Sequence, residues 1–303
     1  MTPTVSVTNA GKNYGKTEAL RDVSFELGAG ETIALVGHNG AGKTTLIKLM
    51  LGLIRPTTGR VSVLGEDPAS GDFGVRARLG YLPESVSFHL ALTGRETLAF
   101  YARLKRADTT TATELFDRVG LSRAAVDRPV RTYSKGMRQR LGLAQALLGD
   151  PHVLLLDEPT SGLDPALRHN FYELIEALRA KGTTILLSSH ALTELEGRAD
   201  RVIIVNGGNK IADGTLDDLR KLARLPTRIR VTTKAGKSLE EEIAGQVVKH
   251  HDGDLEIEVR QEDKLAVLHR LSAAALGIAN LVVLEPTLDE LYAHFLQGQK
   301  DSR

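Results

Sequence analysis

The sequence contains no cysteine and no tryptophan, and only 4% of its 303 residues are aromatic. Without cysteine, disulfides and thiolate metal sites are excluded, which fits a reducing cytoplasm. The 39 basic and 38 acidic side chains nearly cancel, so no strong field favours nucleic acid as a partner. No apolar run approaches the roughly 20 residues that span a bilayer, and no signal-peptide pattern opens the chain. If the protein acts at a membrane, we expect another chain to supply the crossing.

Short apolar runs alternate with longer helical patterns along the chain. Four runs are almost continuously apolar, namely 32–37, 152–159, 183–189 and 201–206. Such runs predict strands that are covered on both faces of a parallel sheet. Segments 5–8 and 23–27 alternate instead, which predicts half-exposed antiparallel strands. Helical patterns are present at 43–53, 95–106, 138–149, 165–181 and 191–199. The sequence therefore predicts an α/β core with a β-rich entry.

A second, smaller domain is predicted after Pro226, where the core pattern weakens. We assign residues 1–225 to the core and 226–303 to a small α/β domain with a ferredoxin-like order. Strand patterns at 228–233, 255–260 and 281–285 support this division, as do helical patterns at 262–277 and 287–296.

The first chemical motif is a glycine-rich loop between a predicted buried strand and a helix. It consists of Gly37, His38, Asn39, Gly40, Ala41, Gly42, Lys43, Thr44 and Thr45. This spacing is that of a P-loop, in which backbone N–H groups surround phosphates. Lys43 would reach the β and γ phosphates, and the Thr44 hydroxyl would be a ligand of Mg²⁺. A ligand-free glycine turn is the alternative, but the full pattern in this context favours nucleotide binding.

Two carboxylates follow the apolar strand at 153–156. Asp157 is placed to hold Mg²⁺ near the phosphate loop, and Glu158 to orient or deprotonate an attacking water. His190 ends the next apolar run, and we expect it to contact the γ-phosphate. Solvated acids at a strand end are the simpler interpretation of the Asp-Glu pair, but the P-loop upstream favours catalysis.

In combination, the motifs "GHNGAGKTT", "YSKGMRQRL", "LLLDEPTSGLDP" and "SSH" resemble those of the ATP-binding cassette (ABC) ATPases, over about residues 4–222. The resemblance implies a P-loop NTPase core with a parallel sheet, an antiparallel β entry subdomain and a helical subdomain at about 85–150. It also implies a Mg²⁺-dependent ATP hydrolase that forms a head-to-tail homodimer. Each ATP would lie between the P-loop of one subunit and the signature loop of the other.

The same resemblance implies roles for individual residues. Ser134 and Gly136 match the signature loop that contacts the partner's ATP, with Lys135 between them where the family usually has glycine. Tyr14 matches the aromatic residue that stacks on adenine, and Asp164 a residue that crosses the dimer interface. His190 matches the switch histidine. Glu84 stands where the family usually has glutamine, so its carboxylate is a further candidate ligand of Mg²⁺.

A narrower resemblance is to the NosF group, the ATPases of NosDFY-type transporters that support copper-site assembly of nitrous-oxide reductase. It depends on "GYLPESVSF", on "YSKGMRQRLGLAQALLGDP" and on the C-terminal "EPTLDELYAHFL". It implies a NosY-like permease and a periplasmic NosD-like protein as partners. The ATPase itself would lie in the cytoplasm, on the inner face of the cell membrane. The segment 85–105 would then receive the permease.

Other functions remain open on the sequence alone. "YSKGMRQRL" is also common in drug and lipid exporters. A soluble ABC ATPase acting on ribosomes or DNA is a second class, although the near-neutral charge disfavours nucleic acid. The third is a regulatory module that binds ATP without turnover. Only Glu84 supports that last class, whereas Glu158 and His190 favour hydrolysis.

Overall fold

The computed structural model describes residues 2–189, 192–233, 247–251, 254–273 and 278–300. The chain forms two compact units, Met1–Asp213 and Gly214–Arg303. In the described part of the chain, the helices are too short or too polar to cross a bilayer.

The strands and helices of the first unit include the predicted ones, apart from the helix at 191–199, and several that were not predicted. They are β1 (Val5–Tyr14), β2 (Thr17–Leu27), β3 (Thr32–Val36), α1 (Lys43–Met50), β4 (Thr58–Val63), α2 (Phe73–Ala77), β5 (Leu79–Leu82), α3 (Gly94–Lys105), α4 (Thr109–Ala112), α5 (Glu114–Arg118), α6 (Arg123–Val126), α7 (Lys135–Ala146), β6 (Val153–Asp157), α8 (Pro165–Ala180), β7 (Thr184–Ser188), β8 (Arg201–Asn206) and β9 (Asn209–Gly214).

A six-stranded sheet with the order β5-β6-β7-β3-β8-β9 forms the centre of this unit. The five strands from β5 to β8 pair in parallel. Every residue of β3, β6 and β7 is buried, which explains why their sequences are continuously apolar. Ligands of open parallel sheets bind beyond the carboxyl ends of the strands, and the loop after β3 and the Asp-Glu pair of β6 both lie at this edge.

A three-stranded antiparallel sheet, in the order β2-β1-β4, forms the entry to the unit. Its inward-facing residues share one hydrophobic cluster with α1 and with the central sheet; these residues include Val7, Leu27 and Val63. The alternation in the sequence therefore corresponds to strands with one face against this core. Helix α1, which begins at the glycine-rich loop, is anchored in the same cluster through Leu46, Ile47 and Met50.

The helices α3 to α7 lie between β5 and β6 in the chain and form the predicted helical subdomain. Helix α3 begins with a capping box, in which Thr93 and Glu96 exchange side-chain and backbone hydrogen bonds. Helix α7 begins at Ser134, whose hydroxyl accepts a hydrogen bond from the N–H of Met137. This cap adds three residues to the helix that was predicted to begin at 138.

The second unit contains α9 (Leu216–Ala223), β10 (Thr227–Thr233), β11 (Val247–His251), β12 (Asp254–Val259), α10 (Lys264–Ala273), β13 (Ile278–Leu284) and α11 (Leu288–Lys300). Its strands form an antiparallel sheet in the order β11-β12-β10-β13. A ferredoxin-like order requires a helix between β10 and β11, and residues 234–246 lie outside the described part of the chain. Strand β11 was not predicted.

Two details differ from the sequence-based expectations. The predicted helix at 191–199 is wrong within the described residues, because only a short 3₁₀ helix at Leu192–Leu195 is present. Gly197 follows this 3₁₀ helix with a φ of 71°, a left-handed conformation that a longer helix could not contain. The division between the units falls after Asp213 rather than Pro226, because α9 packs against α11 in the second unit.

Candidate nucleotide site

The loop between β3 and α1 requires glycine at two positions for different reasons. A Cβ atom on Gly37 would lie 2.5 Å from the carbonyl oxygen of Val205 and 2.9 Å from the Cβ of Ala41. Gly42 has a φ of 110° and caps α1 without a side-chain hydrogen bond. Because no side chain caps α1, its first backbone N–H groups and the positive end of its dipole are available to an anion.

Lys43, the first residue of α1, is buried. Its ammonium donates hydrogen bonds to the carbonyl oxygens of Gly37 and, at 3.4 Å, of His38. Burial lowers the pKa of Lys43, and the negative charges of Glu158, Asp157 and Glu84 act in the opposite direction. The Asp157–Glu158 pair and Glu84, which come from two separate parts of the sequence, are therefore near enough to Lys43 to affect its charge.

Most of the other residues in the loop at 37–45 are more accessible to solvent than Lys43. His38, Asn39, Gly40 and Thr44 are exposed, whereas Thr45 is half-buried and Ala41 is buried. The imidazole Nε2 of His38 lies 2.6 Å from the side-chain oxygen of Asn206, at the end of β8. Accessible side chains and backbone amides on this side of the loop leave it open to a ligand from solvent.

Asp157 and Glu158 are both buried at the carboxyl end of β6. The Ser188 hydroxyl donates to Asp157 Oδ1 at 2.6 Å and accepts from the Glu158 N–H at 3.1 Å. Glu158 has a φ of 50°, a left-handed conformation that costs a non-glycine residue free energy and recurs at functional sites. Ser188 therefore fixes both acids from the neighbouring strand.

Glu84 is exposed just after β5. Burial raises the pKa of Tyr81 to about 12, and the charges of Asp157 and Glu84 contribute in the same direction. Glu84 is therefore close enough to the site to affect two of its neighbours, Tyr81 and Lys43.

The signature residues occupy a different position, at the start of α7. Ser134 and Lys135 are exposed and Gly136 is half-buried. The Ser134 hydroxyl accepts from the Met137 N–H at 3.2 Å, and the Lys135 ammonium donates to the Ser161 hydroxyl at 3.3 Å. Both contacts are made within α7 and the loop 159–164. Neither of them involves Lys43 or the carboxylates of Asp157, Glu158 and Glu84.

Three further predicted residues lie elsewhere or outside the described chain. Asp164 caps α8, with its carboxylate accepting from the Leu167 N–H at 2.9 Å. Tyr14 is 46% exposed, and the Lys12 ammonium lies 5.4 Å from its ring centroid. An exposed ring is free to stack on a base. His190 lies outside the described residues.

Ser188 was missed in the sequence, although it contacts both acids. The available signal was positional, because Ser188 ends a buried strand and lies opposite Asp157 in the β6–β7 register. Two polar residues at the carboxyl ends of adjacent parallel strands are necessarily neighbours. The order of the strands was needed to use that signal.

Comparison with known proteins identifies the family. The model of the ABC transporter family matches residues 20–161. A daunorubicin-resistance ATP-binding protein, DrrA3 from Streptomyces coeruleorubidus, is 36% identical over 301 residues, covering 96% of this chain and 95% of that protein. The chain belongs to the ABC transporter ATP-binding family. It is therefore an ATP-binding and ATP-hydrolysing subunit, and the predicted fold class is confirmed.

Further curated proteins and a solved structure are also similar to this chain. The Nod factor export ATP-binding protein I of Bradyrhizobium diazoefficiens is 33% identical over 99% of this chain and 90% of its own length. Other curated relatives match over 209 to 217 residues, and the chain spans 58% to 68% of their length. The solved ATP-binding subunit of an ABC transporter is 34% identical with a TM-score of 0.68, covering 72% of this chain and 92% of that one.

The full-length matches also bear on the C-terminal segment, which was one basis of the resemblance to the NosF group. The DrrA3 alignment covers 96% of this chain, so it extends well into the second unit. The second unit is therefore shared with a drug-resistance ATPase, and its presence does not distinguish the NosF group.

Proposed function

We propose that this ATPase acts as a homodimer and drives export through a separate membrane permease, from the inner face of the cell membrane. The observation that carries the proposal is the buried Lys43 at the uncapped start of α1, together with the buried Asp157–Glu158 pair at the carboxyl end of β6. ATP binds at the loop of residues 37–45, where the Lys43 charge and the N–H groups of α1 receive the phosphates. Tyr14 stacks on the adenine base.

Mg²⁺ fits the oxygen donors of this site. Thr44, Asp157 and Glu84 supply a hydroxyl and two carboxylates, which are the hard ligands that this ion prefers. The described residues contain no cluster of three or more acidic, histidine or cysteine side chains able to hold a metal by themselves. One or two carboxylates together with substrate phosphates is the usual arrangement for Mg²⁺. When bound, the ion would neutralise charge on the β and γ phosphates.

Glu158 is the general base in this mechanism. Ser188 fixes its backbone at the end of β6, where Glu158 is buried beside Asp157. It accepts a proton from the water that attacks the γ-phosphate, while Lys43 stabilises the charge that develops on the phosphate oxygens. His190 would contact the same phosphate.

The signature residues complete the site of the partner subunit. Ser134, Lys135 and Gly136 lie at the start of α7, where the Ser134 hydroxyl and the first N–H groups of the helix can meet a γ-phosphate. Asp164 lies at the same interface. Because ATP bridges two surfaces, it stabilises only the closed dimer, and its hydrolysis favours opening.

Replacing Ser134 with alanine is expected to lower turnover by about tenfold or more, as loss of one hydrogen-bond donor to developing charge does. Binding of ATP to the single subunit should stay within about twofold, because this donor serves the partner's nucleotide. Steady-state hydrolysis and nucleotide titration at dilute protein measure the two effects. Thr215→Ala is the matched control, because it removes a comparable helix cap in the second unit. A large loss of affinity in the dilute Ser134→Ala subunit would place Ser134 in its own ATP site instead.

A groove on the first unit is suited to receive the permease. It measures about 560 Å³ and lies between the end of α1, α2, α3 and the end of α7. Three large apolar side chains on its walls are exposed, namely Leu53 by 65%, Phe73 by 40% and Leu104 by 60%. Exposed apolar surface of this kind is typical of a protein interface. Its α3 wall belongs to the segment 85–105 that was predicted to receive the permease.

The first experiment is affinity purification of the tagged chain from gently solubilised membranes of its native host, followed by mass spectrometry. A multi-span permease should co-purify with the wild type and be lost from Leu53→Asp and Leu104→Asp. ATP hydrolysis by the isolated variants should remain within about twofold of wild type, because neither residue contacts the nucleotide site. Leu265→Asp, which changes a leucine of the second unit that is 75% exposed, is the control. Equal recovery of the permease by all variants would contradict this docking surface.

The same groove contains a half-buried amine that makes stability depend on pH. Burial lowers the pKa of Lys105 to about 8 from its ordinary value of 10.5, and its ammonium donates to the carbonyl oxygen of Leu148 at 2.6 Å. Between these two pH values the unfolded chain holds a proton that the folded chain has lost. The free energy of unfolding due to this group therefore rises with pH across the window. In Lys105→Met this rise should be absent, so the melting temperature of wild type relative to the variant should increase from pH 8 to 10.5. A difference that is constant over this range would contradict the assignment.

The cargo is assigned from the relatives only as a class. The two full-length relatives described above are named for daunorubicin resistance and for Nod factor export. We therefore favour the drug or lipid exporter that the sequence left open. The NosF interpretation is the second candidate, and it rests on the segments "GYLPESVSF" and "EPTLDELYAHFL".

The purification distinguishes the two candidates. A permease that brings a periplasmic NosD-like protein with it would support a NosDFY-type complex and copper-site assembly. A permease without that companion would support the general exporter. Recovery of no membrane protein would contradict the transporter proposal and favour a soluble ABC ATPase.

A further inference from the structure

Lys135 stands at the signature position where glycine is usual, and the nucleotide chemistry leaves its ammonium without a necessary role. In the structure it is the first residue of α7 and is exposed. Its ammonium nevertheless has a defined partner, because it donates to the Ser161 hydroxyl at 3.3 Å.

The side chain of Lys135 also packs along the backbone of the next loop residue. Gly162 has a φ of 79°, and a Cβ atom there would lie 3.0 Å from Lys135 Cδ and 3.2 Å from its Cε. One helical turn further on, the buried Gln139 donates to the carbonyl oxygen of Pro159 at 3.4 Å. Residues four apart share one face of a helix, so this face of α7 contacts the loop 159–162 at three points.

The loop 159–162 leads directly back to the catalytic acid. The N–H of Ser161 donates to the carbonyl oxygen of Glu158 at 3.1 Å. Lys135 is thus connected to the backbone of Glu158 through Ser161, by one hydrogen bond on each side of that serine. The φ of Glu158 is 50°. A residue in this conformation persists only where the surrounding structure holds it.

We propose that Lys135 is a positioning residue, which ties the start of α7 to Ser161 and thereby holds Glu158 in its left-handed conformation. The inference rests on the proposed role of Glu158 as general base. It gives Lys135 a function within its own subunit. In the alternative, Lys135 is a cation for the partner's γ-phosphate.

A double-mutant cycle separates the two roles. Lys135→Met keeps most of the aliphatic chain and removes the donor, and Ser161→Ala removes the acceptor. For a positioning role, we expect each to lower kcat by about two- to tenfold, as loss of one hydrogen bond does, with the KM for ATP unchanged within about twofold. The double variant should be no slower than the slower single variant, because both changes break the same bond. Lys135→Arg should restore kcat, and Lys181→Met, at an exposed lysine beyond α8, should leave hydrolysis unchanged.

Several results would overturn the proposal. A raised KM in Lys135→Met with normal kinetics in Ser161→Ala would assign Lys135 to the phosphate. Multiplicative losses in the double variant would show that the two residues act independently, and wild-type kinetics in Lys135→Met would remove the role altogether. Glu158→Gln is measured in the same series, because normal hydrolysis by that variant would refute the general base itself rather than the tether.

Discussion

Glu158→Gln is expected to lower steady-state ATP hydrolysis by about 10² to 10⁴-fold, the usual contribution of a general base. Glutamine keeps the size of the side chain and its ability to accept a hydrogen bond, but it does not take a proton from water. Binding of ATP should persist, because Lys43 and the loop at 37–45 are unchanged. The variant should therefore accumulate as an ATP-bound dimer. Phosphate release and size-exclusion chromatography with saturating Mg-ATP measure the two effects.

The matched control changes an exposed glutamate on the helix that follows the site. Glu173, on α8, pairs with His169 at 3.3 Å and is far more exposed than Glu158. Glu173→Gln should keep wild-type turnover and should elute as wild type does. A Glu158→Gln protein that stays monomeric with saturating Mg-ATP would show that ATP is not shared between two subunits. One that still hydrolyses ATP would assign the proton transfer to another group.

Lys43→Met is expected to weaken ATP binding by about a hundredfold or more, because it removes charge-assisted hydrogen bonds to two phosphates. The stability of the nucleotide-free Lys43→Met protein, in contrast, should not decrease. Burial lowers the pKa of Lys43, so the folded chain disfavours the charge that the site needs. Methionine has a similar length and no charge, and we expect the melting temperature of the free protein not to fall.

The thermal-shift measurement tests both halves of this prediction. Saturating nucleotide should raise the melting temperature of wild type, since a ligand present at 100 times its Kd stabilises by about 2.7 kcal/mol. That rise should be lost in Lys43→Met. Lys48→Met, on the exposed face of the same helix, is the control and should keep it. An equal rise in all three proteins would exclude Lys43 from the phosphate site.

Local sequence was sufficient where a single physical cause sets the pattern. Strands β3, β6, β7 and β8 were predicted within two residues at each end because both faces of a parallel sheet require apolar side chains. The glycines of the loop at 37–45 also have a local cause, because Gly37 is required by close approach and Gly42 by its backbone conformation.

Other features depended on contacts between distant parts of the chain. Ser188 lies opposite Asp157 only because β6 and β7 are neighbours in the sheet. The partner of Lys135 could not be read from the signature, since Ser161 follows 26 residues later in another loop. Strand β11 is only five residues long, "VVKHH", and its antiparallel pairing with β12 completes it.

The insertion of α3 to α6 between β5 and α7 allows one part of the protein to vary independently of another. Helix α7 packs against β5 and returns the chain to β6, so β5, α7 and β6 alone complete an ordinary crossover. With 12 residues, α7 is about 18 Å long, close to the length of a five-residue strand. The residues between β5 and α7 can therefore be shortened, lengthened or exchanged without breaking the sheet that holds Asp157 and leads into the Lys43 loop. Since α3 forms one wall of the 560 Å³ groove, evolution or engineering could change the partner proposed to dock there while the hydrolytic chemistry stays the same.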